Sequence, residues 1–261
     1  MAKDGPKILI LDIECAPLLS YTWGIWDQNV GLNQIAKEWS IISWAAKWMD
    51  EDKIYYADQR GSKDIEDDKE ILIKLWDLMD EAQVICGHNV KRFDIKKINA
   101  KFIKHGLRPT NETQVLDTLT MAKSNFAFTS NKLSYIAEYL GVAKKGEHKD
   151  FPGFELWREC MRGNPKAWRE LKKYNVQDVH VTEAVYKKLR PFCKTLNHAI
   201  YLDPEEPLVC ECGSDRLHSN GFRINNAGKY KRLRCLECGK NYKQKQNQIP
   251  HAQRKGFVSK A

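Results

Sequence analysis

Residues 7–14 read Lys-Ile-Leu-Ile-Leu-Asp-Ile-Glu, a near-continuous apolar run that closes on two carboxylates. The run is too short to span a membrane, and its length and β-branched content are those of a buried strand. Side chains alternate along a strand, so Asp12 and Glu14 share one face while Ile13 turns into the core. Two like charges at the end of a buried strand disfavour each other's ionisation. A divalent cation is the simplest compensation, so the end of this strand is a candidate cation site.

The rest of the chain supplies partners for such a strand. Ile42, Trp44, Ala46 and Trp48 alternate with Ser43, Ala45 and Lys47, and a second short strand is expected over Lys53–Ala57, giving a hairpin beside the first strand. Helical spacing of Ile71, Leu72, Leu75, Leu78 and Met79 predicts a helix over 66–82, followed by a strand at Val84-Ile85-Cys86 that ends at Gly87. Further helices are expected over 94–104, 133–140 and 165–189, the last bracketed by Pro165 and Pro191, and a strand at 115–117. Residues 15–31 are expected to be a loop, in which Trp23 and Trp26 seal the edge of the hairpin, with base stacking as the alternative. Strands and helices in this order predict an α/β fold, a mixed β-sheet flanked by helices with the hairpin on one edge.

Charge is unevenly placed. Of the net +9, residues 205–261 contribute twelve Lys/Arg against five Asp/Glu, which leaves about +2 for everything before them. The C-terminal part therefore carries the attraction for a polyanion. With neither a membrane-length apolar segment nor a secretion-type N-terminus, an intracellular, cytoplasmic protein is expected. Cys15, Cys86, Cys160 and Cys193 are scattered and read as reduced core thiols, whereas Cys210, Cys212, Cys235 and Cys238 are clustered.

Two further stretches bring acids to apolar frameworks. Gly87-His88-Asn89-Val90-Lys91-Arg92-Phe93-Asp94 lies where a buried strand gives way to a helix, which can set Asp94 at the sheet edge near Asp12 and Glu14. In Tyr174-Asn175-Val176-Gln177-Asp178, the phenol and the carboxylate are four apart and share a helix face. Asp12-x-Glu14, Asn89-x-x-x-Phe93-Asp94 and Tyr174-x-x-x-Asp178, in this order, resemble the three exonuclease motifs of the DEDDy branch of the DEDD superfamily. That superfamily has a ribonuclease H-like fold and includes the 3′→5′ proofreading domains of family A and B DNA polymerases. The Trp-rich loop and residues 133–141 are also similar to stand-alone, phage-type members. The resemblance spans roughly residues 7–190 and implies a metal-dependent 3′→5′ exonuclease acting on DNA.

The resemblance also implies roles. Two Mg²⁺ or Mn²⁺ ions would activate water and stabilise the leaving 3′ oxygen. Asp12 would bridge them, Glu14 and Asp178 would complete the first, Asp94 would hold the second, and Tyr174 would orient the attacking water. The ordinary pKa of a tyrosine, near 10, makes it a poor base. Leu18 matches the apolar residue that packs against the terminal base, with capping of the core as the alternative. Asn89 and Phe93 belong to the second motif and are candidate substrate contacts, Asn89 alternatively fixing its loop. His88 is expected to be a local hydrogen-bonding residue, and Asp117 a structural acid.

Cys210-x-Cys212-Gly213 and Cys235-x-x-Cys238-Gly239 are separated by 22 residues of largely polar, Gly- and Asn-containing sequence, a spacing for a hairpin closed by a tetrahedral Cys₄ site. This resembles a zinc ribbon, with one structural Zn²⁺ supplying folding energy to a module too small for a full core. The first pair has one intervening residue where two are usual, and His218 is an alternative ligand. The expected organisation is an exonuclease domain over 1–202, a linker over 203–207, the ribbon over 208–243 and a basic disordered tail over 244–261. Basic and aromatic residues in the ribbon suit nucleic-acid binding, and a replication or repair protein is an expected partner. The rival readings are a ribonuclease of the same chemistry and a recruitment protein acting through the ribbon.

Overall fold

Strand β1 (Ile8–Cys15) lies at the centre of the first sheet, between one antiparallel and one parallel neighbour. The computed structural model describes residues 5–143, 150–194, 196, 198–201 and 208–254. After β1 come two short strands, β2 (Leu19–Ser20) and β3 (Ile35–Lys37), then the hairpin of β4 (Ile41–Trp48) and β5 (Tyr55–Asp58). Helix α1 (Lys69–Glu81), β6 (Val84–Gly87), α2 (Asp94–Lys104) and β7 (Gln114–Asp117) follow. Four helices then succeed one another: α3 (Thr118–Asn125), α4 (Leu133–Tyr139), α5 (Glu155–Met161) and α6 (Pro165–Leu189). The main sheet has the order β5-β4-β1-β6-β7, antiparallel on the hairpin side and parallel on the other. The expected mixed sheet, with a hairpin at one edge and helices around it, is the fold observed.

Register decides which side chains meet. Leu9, Leu11 and Ile13 stand opposite Trp48, Ala46 and Trp44 on one face of the sheet. They form the larger core with Ile71, Leu72, Leu75 and Met79 of α1 and Ile98 and Phe102 of α2. On the other face, Asp12 and Glu14 stand opposite Ala45 and Ser43. Polar links from α6 cover this face: Ser43 donates to Asn175 (3.1 Å), and buried Lys47 pairs with Glu183. The register slips between Glu14 and Cys15, and Ile42 joins a second core of Ala16, Leu156, Cys160, Trp168 and Leu171. A bulge of this kind at a strand end re-aims side chains beside a site.

The chain divides into two compact units, Lys7–Tyr186 and Lys187–Ala261 with Met1–Pro6. The division falls near the end of α6, and the expected linker over 203–207 lies outside the described residues. The second unit contains a three-stranded antiparallel sheet of β8 (Leu217–Asn225), β9 (Gly228–Cys235) and β10 (Asn241–Asn247), then α7 (His251–Arg254). The disordered tail expected from 244 is corrected over the described part: the β10 strand runs to Asn247, with Tyr242 opposite Leu233 and Asn247 opposite Tyr230. Residues 255–261 of that tail lie outside the described residues. Among the described residues no helix is long and apolar enough to cross a membrane. Cys86, Cys160 and Cys193 are buried free thiols, and Cys15 is half-buried.

The loop between β1 and β4 differs most from expectation. Trp23 is 98% exposed and Trp26 83%, so neither seals the hairpin edge. The sequence pattern also missed α3 and α5. Helix α3 buries only Thr118, Met121 and Ala122, and α5 only Leu156 and Cys160, too few positions to show a period of 3.6.

Candidate active site

Two stretches of backbone set the acid site. On β1, the strand alternation that sends Ile13 into the core aims Asp12 and Glu14 at the α6 face. On α6, Tyr174 and Asp178 are one turn apart and joined by a hydrogen bond from the phenol to the carboxylate. Asn175 lies between them, fully buried. Its amide donates to the Asp12 carboxylate (2.6 Å) and to the Asp12 carbonyl (3.1 Å) while its own oxygen accepts from Ser43. Trp157 of α5 donates its indole N–H to Glu14 (2.9 Å) and packs edge-on against Tyr174.

Asp94 arrives from the other side of β1. Strand β6 pairs with β1 only as far as Ile10, and beyond it the Asp94 carboxylate accepts the Ile13 N–H at 3.1 Å. The turn that delivers Asp94 is held by Asp117. Its buried carboxylate accepts the N–H groups of Asn89 and Lys91, and also caps α3 through Leu119 and Thr120. Asn89 has a left-handed backbone (φ 65°), a conformation that asparagine tolerates better than most residues. Gly87 is required just before it, because a Cβ there would meet Val90 at 2.6 Å.

Burial is the first cause of every acid shift at this site. It raises Asp12 well above the ordinary carboxylate range, helped by the charges of Glu14, Asp94 and Asp178 and opposed by Asn175. Burial pushes Glu14 up to about 8 despite the Trp157 hydrogen bond, with Asp178 and Asp94 adding to the rise. Asp94 goes up to about 7, against the backbone N–H of Ile13, and Asp178 to about 6, against the Tyr174 hydroxyl. Burial and the neighbouring acids also raise Tyr174 above 10. Among the described residues no Lys, Arg or His pairs with any of the four carboxylates. Four acids without a counter-cation fit a divalent metal, which lowers the pKa of its own ligands.

A cleft of about 630 Å³ opens beside this cluster, lined by Asp12, His88, Asn89, Lys123, Tyr174 and Asp178 among others. His88 is held by Thr118 at Nδ1 (2.9 Å) and the Asn131 carbonyl at Nε2 (3.0 Å), and burial lowers its pKa. Thr118 in turn donates to the Gly87 carbonyl (3.2 Å), so His88 ties the end of β6 to the 131 loop, the local hydrogen-bonding role expected of it. Leu18 and Phe93 are partly exposed, and Lys97 sits over the Phe93 ring at 5.3 Å. The site thus brings together Asp12, Glu14, Asp94, Tyr174 and Asp178. Sequence reasoning missed Asn175 and Trp157. A buried asparagine in mid-helix, a poor helix former, was the one available signal.

In the second unit, the sulfurs of Cys210, Cys212, Cys235 and Cys238 all lie within 4.8 Å of one another. Cys210 and Cys238 are 3.4 Å apart and Cys212 and Cys235 3.7 Å, close to the edges of a tetrahedron with zinc–sulfur bonds of about 2.3 Å. Both knuckles close in the same way despite their unequal spacing. Gly213 N–H returns to the Cys210 carbonyl and Gly239 N–H to the Cys235 carbonyl, each glycine in a left-handed conformation. Tyr242 accepts the Glu211 N–H and lies 3.0 Å from the Cys210 sulfur, able to donate to a thiolate. His218 pairs with Arg234 on the β8–β9 ladder and is outside the cluster. The carboxylates are spread more widely than the thiolates, since among the described residues only the cysteines converge this closely.

Residues 29–190 match a family described as the RNase_H superfamily. No curated protein matches the chain. Among solved structures, a family B DNA polymerase from the hyperthermophilic archaeon Pyrobaculum calidifontis is similar in fold, with a TM-score of 0.52 and 18% sequence identity. The similarity covers 71% of this chain and 25% of the polymerase, so the chain corresponds to about a quarter of that protein.

Proposed function

The chain belongs to the RNase_H superfamily, and from that premise we propose that it is a metal-dependent exonuclease removing nucleotides from the 3′ end of DNA. One observation carries the reading: Tyr174 and Asp178, joined on α6, face the paired carboxylates of β1 in a cluster with no counter-cation among the described residues. That arrangement supports the DEDDy reading of the sequence motifs.

Two divalent ions, Mg²⁺ or Mn²⁺, would supply acidity to the attacking water and neutralise the leaving 3′ oxygen. Asp12, Glu14 and Asp178 would hold one, and Asp12 with Asp94 the other. The protein's own groups do the positioning. Asn175 fixes the Asp12 carboxylate, Trp157 fixes that of Glu14, and the Ile13 N–H fixes that of Asp94. Tyr174, its pKa raised further, stays protonated and orients a water by hydrogen bonding without acting as a base. Asn89, Leu18 and Phe93 would contact the terminal nucleotides. In the second unit Cys210, Cys212, Cys235 and Cys238 would hold one structural zinc, making a ribbon whose Arg223, Lys231, Arg232 and Arg234 bind nucleic acid.

The test is a time course on 5′-labelled single-stranded DNA and matched RNA, with Mg²⁺, Mn²⁺ or chelator, beside Asp178→Ala. The expected result is a metal-dependent ladder shortening from the 3′ end of DNA, absent in the variant. Faster loss of RNA would make the enzyme a ribonuclease, and full activity in Asp178→Ala would end the mechanism.

A further inference from the structure

Between β1 and β4 the chain makes an arm that the core does not use. Its root is the β2–β3 pairing, Leu19 with Lys37 and Ser20 with Ile35, extended by the Tyr21 N–H to the Gln34 carbonyl (2.9 Å). Gln34 locks it further, its amide donating to the Tyr21 carbonyl and its oxygen accepting from Gly31. Beyond that root stand Tyr21, Trp23, Ile25, Trp26 and Leu32, each more than three-quarters exposed. Residues 15–36 contain no Lys or Arg and a single acid, Asp27. Among the described residues neither Trp23 nor Trp26 has a ring or cation partner, so both faces of each indole are open. So much apolar surface on a braced arm marks an interaction site.

We propose that this arm is a stacking platform for the unpaired bases of a single-stranded nucleic acid whose 3′ end occupies the acid site. The inference rests on the nuclease reading and names the form of its substrate. Three observations select bases over other occupants. The arm is rooted five residues after Glu14, within roughly 17 Å of chain, so a strand ending at the carboxylates can reach it. Lys37 stands at its root, but the tip over 21–34 offers no cation for phosphates, and what remains there to recognise on a polyanion is the apolar base face. Indoles open on both faces suit bases of any sequence, which an exonuclease removing nucleotides in succession requires. The Gln28 amide donates to the Trp26 carbonyl (2.6 Å) and braces the tip.

The test compares Trp23→Ala/Trp26→Ala with the parent, both in an Asp178→Asn background, by fluorescence anisotropy. The probes are a labelled oligothymidylate and an abasic strand of the same length. The double variant should bind oligothymidylate about ten- to a hundredfold more weakly, with the salt slope of binding unchanged and no loss of melting temperature. The preference of the parent for thymidylate over the abasic strand should largely disappear. Affinity within twofold of the parent would overturn the proposal. So would a salt slope reduced by about one or more, which would move the contact to phosphates. A parent dimer that the double variant dissolves, with thymidylate binding intact, would assign the arm to a second copy of the chain. Hydrolysis by the native protein is scored separately, so failure of the nuclease reading and failure of this one are distinguishable.

Discussion

Replacing Asp178 by Asn should make the metal-free protein more stable while abolishing its hydrolysis of DNA. Burial pushes the Asp178 carboxyl from 3.8 to about 6, so above pH 7 the folded chain holds an anion it would rather protonate. A displacement of this size corresponds to about 3 kcal/mol. The sign follows from linkage: the carboxyl stabilises the fold fully below pH 4, where it is protonated in both states, and loses that stabilisation as pH rises toward 6. Asparagine keeps the acceptor for Tyr174 and cannot ionise. For a unit of this size the variant should therefore melt about 6–12 °C higher at pH 8, and the gap should shrink to about 1–2 °C near pH 4. The assay is differential scanning calorimetry of zinc-loaded protein without added Mg²⁺ or Mn²⁺, across pH 4 to 8. Adding Mn²⁺ at pH 8 should raise the native protein and leave the variant nearly unmoved. A variant no more stable than the native chain at pH 8, or a gap independent of pH, would refute the account of the acid cluster as repulsion awaiting a cation.

Three other outcomes follow from the same contacts. Trp157→Phe removes the donor to Glu14 and should weaken Mn²⁺ binding about tenfold, read by isothermal titration, with little change in fold. Asp94→Asn retains an acceptor for the buried Ile13 N–H whereas Asp94→Ala does not, so the alanine variant should be less stable than the asparagine one by about 1–3 kcal/mol in urea denaturation. Cys212→Ser should lower zinc content from one per chain toward zero by elemental analysis, and should melt the β8–β10 sheet while the Lys7–Tyr186 unit keeps its transition.

What could be read from the sequence follows the range of the interactions concerned. Strands β1, β4 and β6 and helices α1, α2 and α6 announce themselves because a buried element must repeat apolar residues at its own period. The same logic fails for β10, whose Asn-Tyr-Lys-Gln-Lys-Gln-Asn carries one apolar side chain and is a strand because it pairs with β9. It fails in the opposite direction for the arm, where aromatic residues suggest burial and find none. Of the acid site, the carboxylates and Tyr174 were legible as an ordered set. The groups that orient them were not. Trp157 reaches Glu14 across 143 residues and Asn175 reaches Asp12 across 163, and no local pattern encodes such pairings.

The acids also differ in what the fold asks of each. Asp94 completes hydrogen bonding where β6 stops and β1 continues, and Asp117 pins two backbone N–H groups at the turn that carries Asp94 into place and two at the start of α3. Both are acceptors to the backbone as well as acids, so their positions are tied to the backbone they bond. Asp178 has no backbone donor and hangs from one turn of α6 with Tyr174 as its partner. Its place in the fold is thus the least constrained of the set, which is why its replacement is expected to relieve charge without breaking structure. In this site Asp94 is held by the backbone of β1, Asp12 and Glu14 are held by the side chains of Asn175 and Trp157, and Asp178 by Tyr174 on its own helix. Asp12 from β1 and Tyr174 and Asp178 from α6 together line the open cleft beside the cluster, so the strand and the helix both face the way by which a substrate must enter and leave.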